Sequence, residues 1–122
     1  MTKAAALHAW LSQFLTAYPD SAVPSDAVFP WLTYELVTSA WGDEESAITV
    51  NLWYYGTGEA IPNAKAQEIA DAIGMGGVIV PYDGGAMWIK RGTPWCQSIK
   101  DESDPNIKRR YINISVEYLS QD

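Results

Sequence analysis

The chain has 122 residues, of which 48% are hydrophobic, 19% charged and 12% aromatic, with seven prolines, nine glycines and the single Cys96. That is one domain spanning residues 1–122, too apolar for intrinsic disorder, and a lone cysteine supports neither an intrachain disulfide nor a structural zinc site. Fifteen acidic against eight basic residues give a net charge of −7, which disfavours sequence-specific DNA binding and docking on anionic membranes.

No apolar run approaches the ~18–20 residues of a membrane-spanning helix, and only Lys3 precedes the first helical stretch, so the sequence reads as that of an intracellular protein. The charge is uneven. Residues 1–61 carry seven acids and one base, residues 62–122 eight acids and seven bases, and six of the eight bases fall between Lys90 and Arg110.

Ala4, Leu7, Trp10, Leu11, Phe14 and Leu15 recur at helical spacing, which predicts an amphipathic helix capped by Thr2 and ended by Tyr18-Pro19-Asp20. Residues 19–30, with three prolines, read as a loop. Trp31–Ala40 and Ile48–Tyr55 alternate apolar with polar positions and predict an antiparallel hairpin around Trp41-Gly42-Asp43-Glu44-Glu45-Ser46. Val50 and Leu52 fall on one face of it, Trp53 and Tyr55 on the other.

Gly56 and Gly58 end that hairpin. Pro62 then opens a second helix, with Ala66, Ile69, Ala70 and Ile73 on its apolar stripe and Gly74 at its end. Val78–Val80 and Ala86–Lys90 flank the Pro81–Gly85 turn as a second hairpin. Tyr111–Leu119 is a last strand with Ile112, Ile114, Val116 and Tyr118 on one face. Thr93–Arg110, with Trp95, Cys96 and Ile99, is a polar connection long enough to be a protruding arm or an extended hairpin. The expected fold class is α+β: an antiparallel sheet of about five strands with two helices packed on one face, in the order α-β-β-α-β-β-β. Its core should include Val50, Leu52, Ile69, Ile73, Ile112 and Ile114.

Few residues suggest chemistry. His8 lies on the polar side of the first helix and reads as a surface histidine, and Cys96 lacks the electropositive setting of a reactive thiolate. Gly74-Met75-Gly76-Gly77 follows a helix instead of opening one, unlike a phosphate-binding loop. Asp83-Gly84-Gly85 is a turn, and Asp43-Glu44-Glu45 lacks the alternating ligands of a calcium loop. No catalytic, cofactor-binding or metal-binding residues are assigned, and the sequence does not read as an enzyme. Six tryptophans and seven tyrosines spread over both strand faces instead favour a binding surface. Lys108-Arg109-Arg110 is the one basic run, open equally to a solvated cuff and to a contact role.

Pro30–Leu36, Val50–Tyr54, Ile79–Gly92 and Lys108–Asn113 with the strand that follows resemble the bacteriophage minor capsid or tail terminator proteins of long-tailed phages and prophages. The resemblance implies a structural virion protein that forms a hexameric ring, caps the finished tail tube and offers a surface to the head–tail connector. It implies assembly in the host bacterial cytoplasm and a final location in the virion tail, with DNA only passing through the channel. Another connector or neck ring subunit is the nearest alternative, and a small enzyme or ligand-binding domain a more distant one.

A ring built from one repeated contact needs two different patches per subunit, which the acidic first half and base-bearing second half could supply. The candidate contact residues are Trp95, Ile99, Lys100, Lys108, Arg109 and Arg110 in the connection, with Trp53 and Tyr55. A connection of that length is expected to be disordered until a partner orders it.

Overall fold

A computed structural model describes residues 1–37 and 46–120 of the chain. The expected end of the first strand and the turn carrying Asp43, Glu44 and Glu45 lie outside the described residues. Two helices and six strands follow in the order α1 (Lys3–Ser12), β1 (Thr16–Pro19), β2 (Trp31–Val37), β3 (Ser46–Tyr55), α2 (Ala60–Ile73), β4 (Val78–Tyr82), β5 (Gly85–Lys100) and β6 (Ile107–Ser120). The strands form one sheet in the spatial order β1-β2-β3-β6-β5-β4.

The α+β class holds, and two details differ. The sheet has six strands, and it is mixed, because β1 pairs in parallel with β2, Thr16 opposite Trp31 and Pro19 opposite Tyr34. β1 arises because α1 stops early. Thr2 caps its start, accepting the Ala5 N–H at 3.1 Å, but at its end Ser12 Oγ turns back to the His8 carbonyl at 2.7 Å and Gln13 Nε2 to the Trp10 carbonyl at 2.9 Å. These side chains compete with the next helical turn for its carbonyl acceptors. The apolar stripe shifts accordingly: Ala6, Leu7 and Leu11 are buried within α1, whereas Ala4 is exposed. Phe14 still reaches the core from beyond the helix end, its ring 5.1 Å edge-on from Trp10.

Alternation sets the core. Ile48 faces Ile114 and Val50 faces Ile112 across the β3–β6 ladder, while Leu52 faces Leu32 of β2. All six residues expected in the core have at most 2% exposure, and they join Leu7 and Leu11 of α1 and Ala66 of α2 in one cluster. Both helices therefore pack on the same side of the sheet. α2 opens with Pro62 in its first turn and ends at Gly74, whose φ of +76° is left-handed and whose N–H returns to Ala70 O, a helix end that glycine makes without strain.

Residues 93–110 form the extended hairpin, not an arm. Cys96 to Lys100 pair with Ile112 to Lys108, and β6 pairs in turn with β3 as far as Ile107 opposite Tyr55. The connecting turn is held by its own groups. Asp101 Oδ1 accepts from Ser103 N at 2.8 Å, Ser103 Oγ at 2.6 Å and Asp104 N at 3.1 Å, and Gly56 N donates to Asn106 O at 2.8 Å. The expected disorder of this segment is overturned, because ladder bonds within the single chain already order it. Between Arg91 and Cys96 the register breaks: Gly92, Thr93, Pro94 and Trp95 stand opposite Asn113 alone, whose Nδ2 donates to Pro94 O at 2.8 Å.

Candidate functional site

The sheet face without helices carries Trp31, Trp53, Arg109 and Ile99 in one row across β2, β3, β6 and β5, each directly opposite the next. With no helix above them, these long side chains lie flat over their shorter neighbours. Trp53 Nε1–H donates to Thr33 Oγ1 at 3.0 Å, and Arg109 Nε donates to Asn51 Oδ1 at 2.7 Å. The Arg109 guanidinium sits 5.0 Å from the Trp53 ring centre, and Trp31 stacks on Trp53 at 6.5 Å and 22°. Thr33 and Asn51 are consequently only 3% and 9% exposed. The open face has a roof of its own aromatic and guanidinium groups, and part of the tryptophan content read from sequence as adhesive serves as that cover.

The roof ends in solvent at one end of the sheet. Phe29 lies 4.2 Å from Trp31 and 5.6 Å from Tyr55, and Tyr55, Val28 and Ile61 are 58%, 78% and 69% exposed. Tyr55 and Ile61 share a cleft of about 320 Å³ with Tyr54, Pro62 and Lys108. Tyr55 and Ile61 make this an exposed apolar end of the described molecule, where β3 runs out and α2 begins; Met75, Ile79 and Leu119 are exposed elsewhere.

Beside that cleft, on the helix side of the sheet, lies a cavity of about 290 Å³ lined by Glu59, Ser98, Lys100, Lys108 and Arg110 among others. Arg110, 2% exposed, donates from Nη2 to Glu59 Oε1 at 2.6 Å and from Nε to Asn63 Oδ1 at 3.0 Å. Lys108 Nζ stands 3.4 Å from Glu59 Oε2. Hydrogen bonding from Arg110, then the charges of Arg110 and Lys108, hold the Glu59 carboxyl below the ordinary glutamate range. Lys100 faces Lys108 directly across the ladder, and like charges so placed repel.

The eight sequence candidates therefore divide. Trp53, Tyr55, Arg109 and Ile99 come together on or beside the open face. Lys100 and Lys108 meet on the opposite face, around the polar cavity. Arg110 is corrected from a partner contact to an internal tie, because it is buried and bonded to both Glu59 and Asn63 at the start of α2. Trp95 is half-buried against the core within the irregular stretch of β5, so its apolar surface is largely engaged inside the chain. Sequence reasoning missed Val28, in the Ala27-Val28-Phe29 run of a segment read only as a proline-rich loop, and Ile61, next to Pro62 at the start of the second helix, and it missed Glu59.

The remaining candidates have local roles. His8 Nδ1 and the Tyr34 hydroxyl share a hydrogen bond of 2.9 Å at the surface of α1. Burial pushes the Cys96 thiol up, away from the thiolate form. Gly84, at φ +92°, makes the turn from β4 to β5. Among the described residues no group of His, Cys, Asp or Glu is arranged to hold a metal, and no helix is long and apolar enough to cross a membrane.

Fold and surface together define an α+β sheet protein with both helices on one face, a self-roofed second face, and an apolar end adjoining a polar cavity. Comparison with protein-family models, with curated proteins and with solved structures finds no match to this chain.

Proposed function

We propose that this protein is a non-enzymatic structural subunit that assembles with copies of itself through the end of the sheet bearing Tyr55, Val28 and Ile61. With the resemblance carried by Pro30–Leu36, Ile79–Gly92 and Lys108–Asn113, the assembly is a ring, hexameric in the first instance, that caps a phage tail tube and meets the head–tail connector. The observation that supports this reading is the exposure of Tyr55 and Ile61 around one cleft, with exposed Val28 next to Phe29, whose ring packs on Tyr55. Exposed apolar clusters on a small domain mark contact surfaces.

A ring of six −7 subunits carries −42, a charge that would keep passing DNA from adhering to it. Light scattering coupled to size exclusion, with electron microscopy of the protein alone and mixed with tail tubes, tests the reading. Closed rings, free or on tube ends, are expected. Monomers under both conditions, at concentrations up to those of an assembling virion, would overturn it, the concentration mattering because association follows mass action.

A further inference from the structure

Just past the end of α2 an apolar residue is held out in solvent. Met75 follows Gly74 and is 98% exposed, yet the loop that carries it is bonded on both sides. Gly74 O accepts from Arg91 Nε at 3.3 Å, and Gly76 O accepts from Trp88 Nε1 at 2.8 Å. Trp88 comes so close that a Cβ on Gly77, whose φ is +86°, would collide with the indole, so this contact needs glycine there. Ile79, directly opposite Trp88 and 52% exposed, adds a second exposed apolar side chain at the same place.

The other end of α2 holds a fitting recess. The cleft of about 320 Å³ is lined there by Tyr54, Tyr55, Ile61 and Pro62, rings and aliphatic carbons against which a thioether packs well. α2 has 14 residues, about 20 Å of helix, so Met75 does not reach the cleft of its own chain. Knob and cleft are separate patches, one at each end of the same helix.

Unpaired charge also differs between the two ends. At the knob, Lys90 is paired with Glu117 and Asp71 accepts from Gln67, whereas Arg91 is exposed and makes no ion pair among the described residues. At the cleft, Gly56 donates to Asn106 O and so brings the turn carrying Asp101, Glu102 and Asp104 alongside. Lys108 in that lining is engaged by Glu59 and by Pro105 O, and Glu102 is exposed without an ion pair among the described residues.

We infer that Met75 of one copy enters the cleft formed by Tyr54, Tyr55 and Ile61 of the next, with Arg91 turned toward the acidic turn that carries Glu102. Each copy gives a knob at one end of α2 and receives one at the other, so the contact is head-to-tail, as a ring requires. The inference rests on the proposed self-assembly and names its second surface. A loop already held by Trp88 and Arg91 loses little freedom on contact, which favours binding.

Paired variants of the full-length protein test it. Met75 and Ile61 are both exposed, so Met75→Asp and Ile61→Asp should melt close to wild type, the second helped by the preference of a first helical turn for an acid. Should either disturb the melt, Met75→Ser and Ile61→Ser take their place. Each variant alone should associate about tenfold or more weakly, because a polar group is then forced into an apolar contact. Met75→Leu should assemble as wild type does. Mixed in equal amounts, the two aspartate variants retain one contact only, the Met75 of one in the undamaged cleft of the other. Light scattering should show the mixture stopping at a heterodimer, at concentrations where either variant alone is monomeric.

Normal assembly of Met75→Asp, with Ile61→Asp impaired, would overturn this contact while leaving self-assembly through the Tyr55 end in place. Normal assembly of Ile61→Asp would overturn the role of that end as well. Two folded, monomeric variants that form no heterodimer when mixed would also overturn the head-to-tail contact. A wild-type protein that stays monomeric with and without tail tubes would remove both readings.

Discussion

Arg109 and Arg110 are neighbours in sequence and lie on opposite faces of the sheet: Arg109 is spread over Trp53 on the open face, and Arg110 is buried beneath the start of α2 against Glu59. One strand position separates a surface cation from an interior one. Arg110→Ala should cost about 2–3 kcal/mol, through lost charge-assisted hydrogen bonds and the packing of its stem. Arg109→Ala should cost about 1 kcal/mol, the scale of an exposed cation–π contact plus one hydrogen bond. Urea denaturation of the two variants checks the ranking, and equal losses would contradict the burial difference.

Ile114 is 2% exposed and stands opposite Ile48. Ile114→Ala should cost about 2–5 kcal/mol, from lost burial and the cavity left behind. Asn113, one residue earlier, points to the other face, so Asn113→Ala should cost less. Thermal melts of the pair test the register, since a one-residue slip would reverse their order.

Deletion of residues 96–106 removes five paired positions of β5 together with the turn that Gly56 bonds to. It should leave β6 with a bare edge beside β3 and yield an unfolded or aggregating protein. Circular dichroism of the deletion variant measures this. A normal melt would mean that the hairpin end is dispensable to the fold.

The fold responds to acid through Glu59. Its folded-state pKa is lowered, chiefly by the hydrogen bond from Arg110 and against a smaller opposing effect of desolvation. Its contribution is therefore complete above the unfolded glutamate range, near pH 4.3, and is lost as pH falls through the lower folded value. Glu59→Gln should be less stable than wild type at pH 7, and the gap should narrow steadily as pH falls below about 4. Asp101, held low by Ser103, adds to the acid limb in the same direction. Melting temperatures of both proteins between pH 3 and 7 provide the check; a gap independent of pH would assign the effect of Glu59 to packing alone.

The faces of β3 and β6 were legible because their residues alternate strictly, and with them the burial of Val50, Leu52, Ile112 and Ile114 and the position of Trp53 and Tyr55 opposite. The outer half of β5 was not, for a physical reason: its inward positions are Cys96, which packs at the margin of the core, and Ser98 and Lys100, which line a polar cavity, so the alternation that announces a strand is missing. β1 escaped detection because four residues ending in proline carry almost no period. The run Lys108-Arg109-Arg110 looked like one basic patch, since adjacency in sequence gives no sign that a strand sends Arg109 one way and its neighbours the other. Glu59 became visible only when the fold brought it to Arg110, 51 residues away.

The irregular stretch at Gly92–Trp95 decides where β5 can change length. Before it, odd-numbered residues of β5 such as Met87 and Ile89 face the helices; after it, the even-numbered Cys96, Ser98 and Lys100 do. The two halves of the strand are therefore out of phase in sequence and in phase in space, with the difference absorbed by four residues that have only Asn113 across from them. Gain or loss of a residue elsewhere in β5 would exchange the inside and outside of everything beyond it, whereas here it would disturb Trp95 and the Asn113–Pro94 bond and leave the facing of both halves unchanged. An insertion between Thr93 and Pro94 should therefore keep both halves of β5 in phase, at the cost of the Asn113–Pro94 bond, whereas one elsewhere in the strand should not.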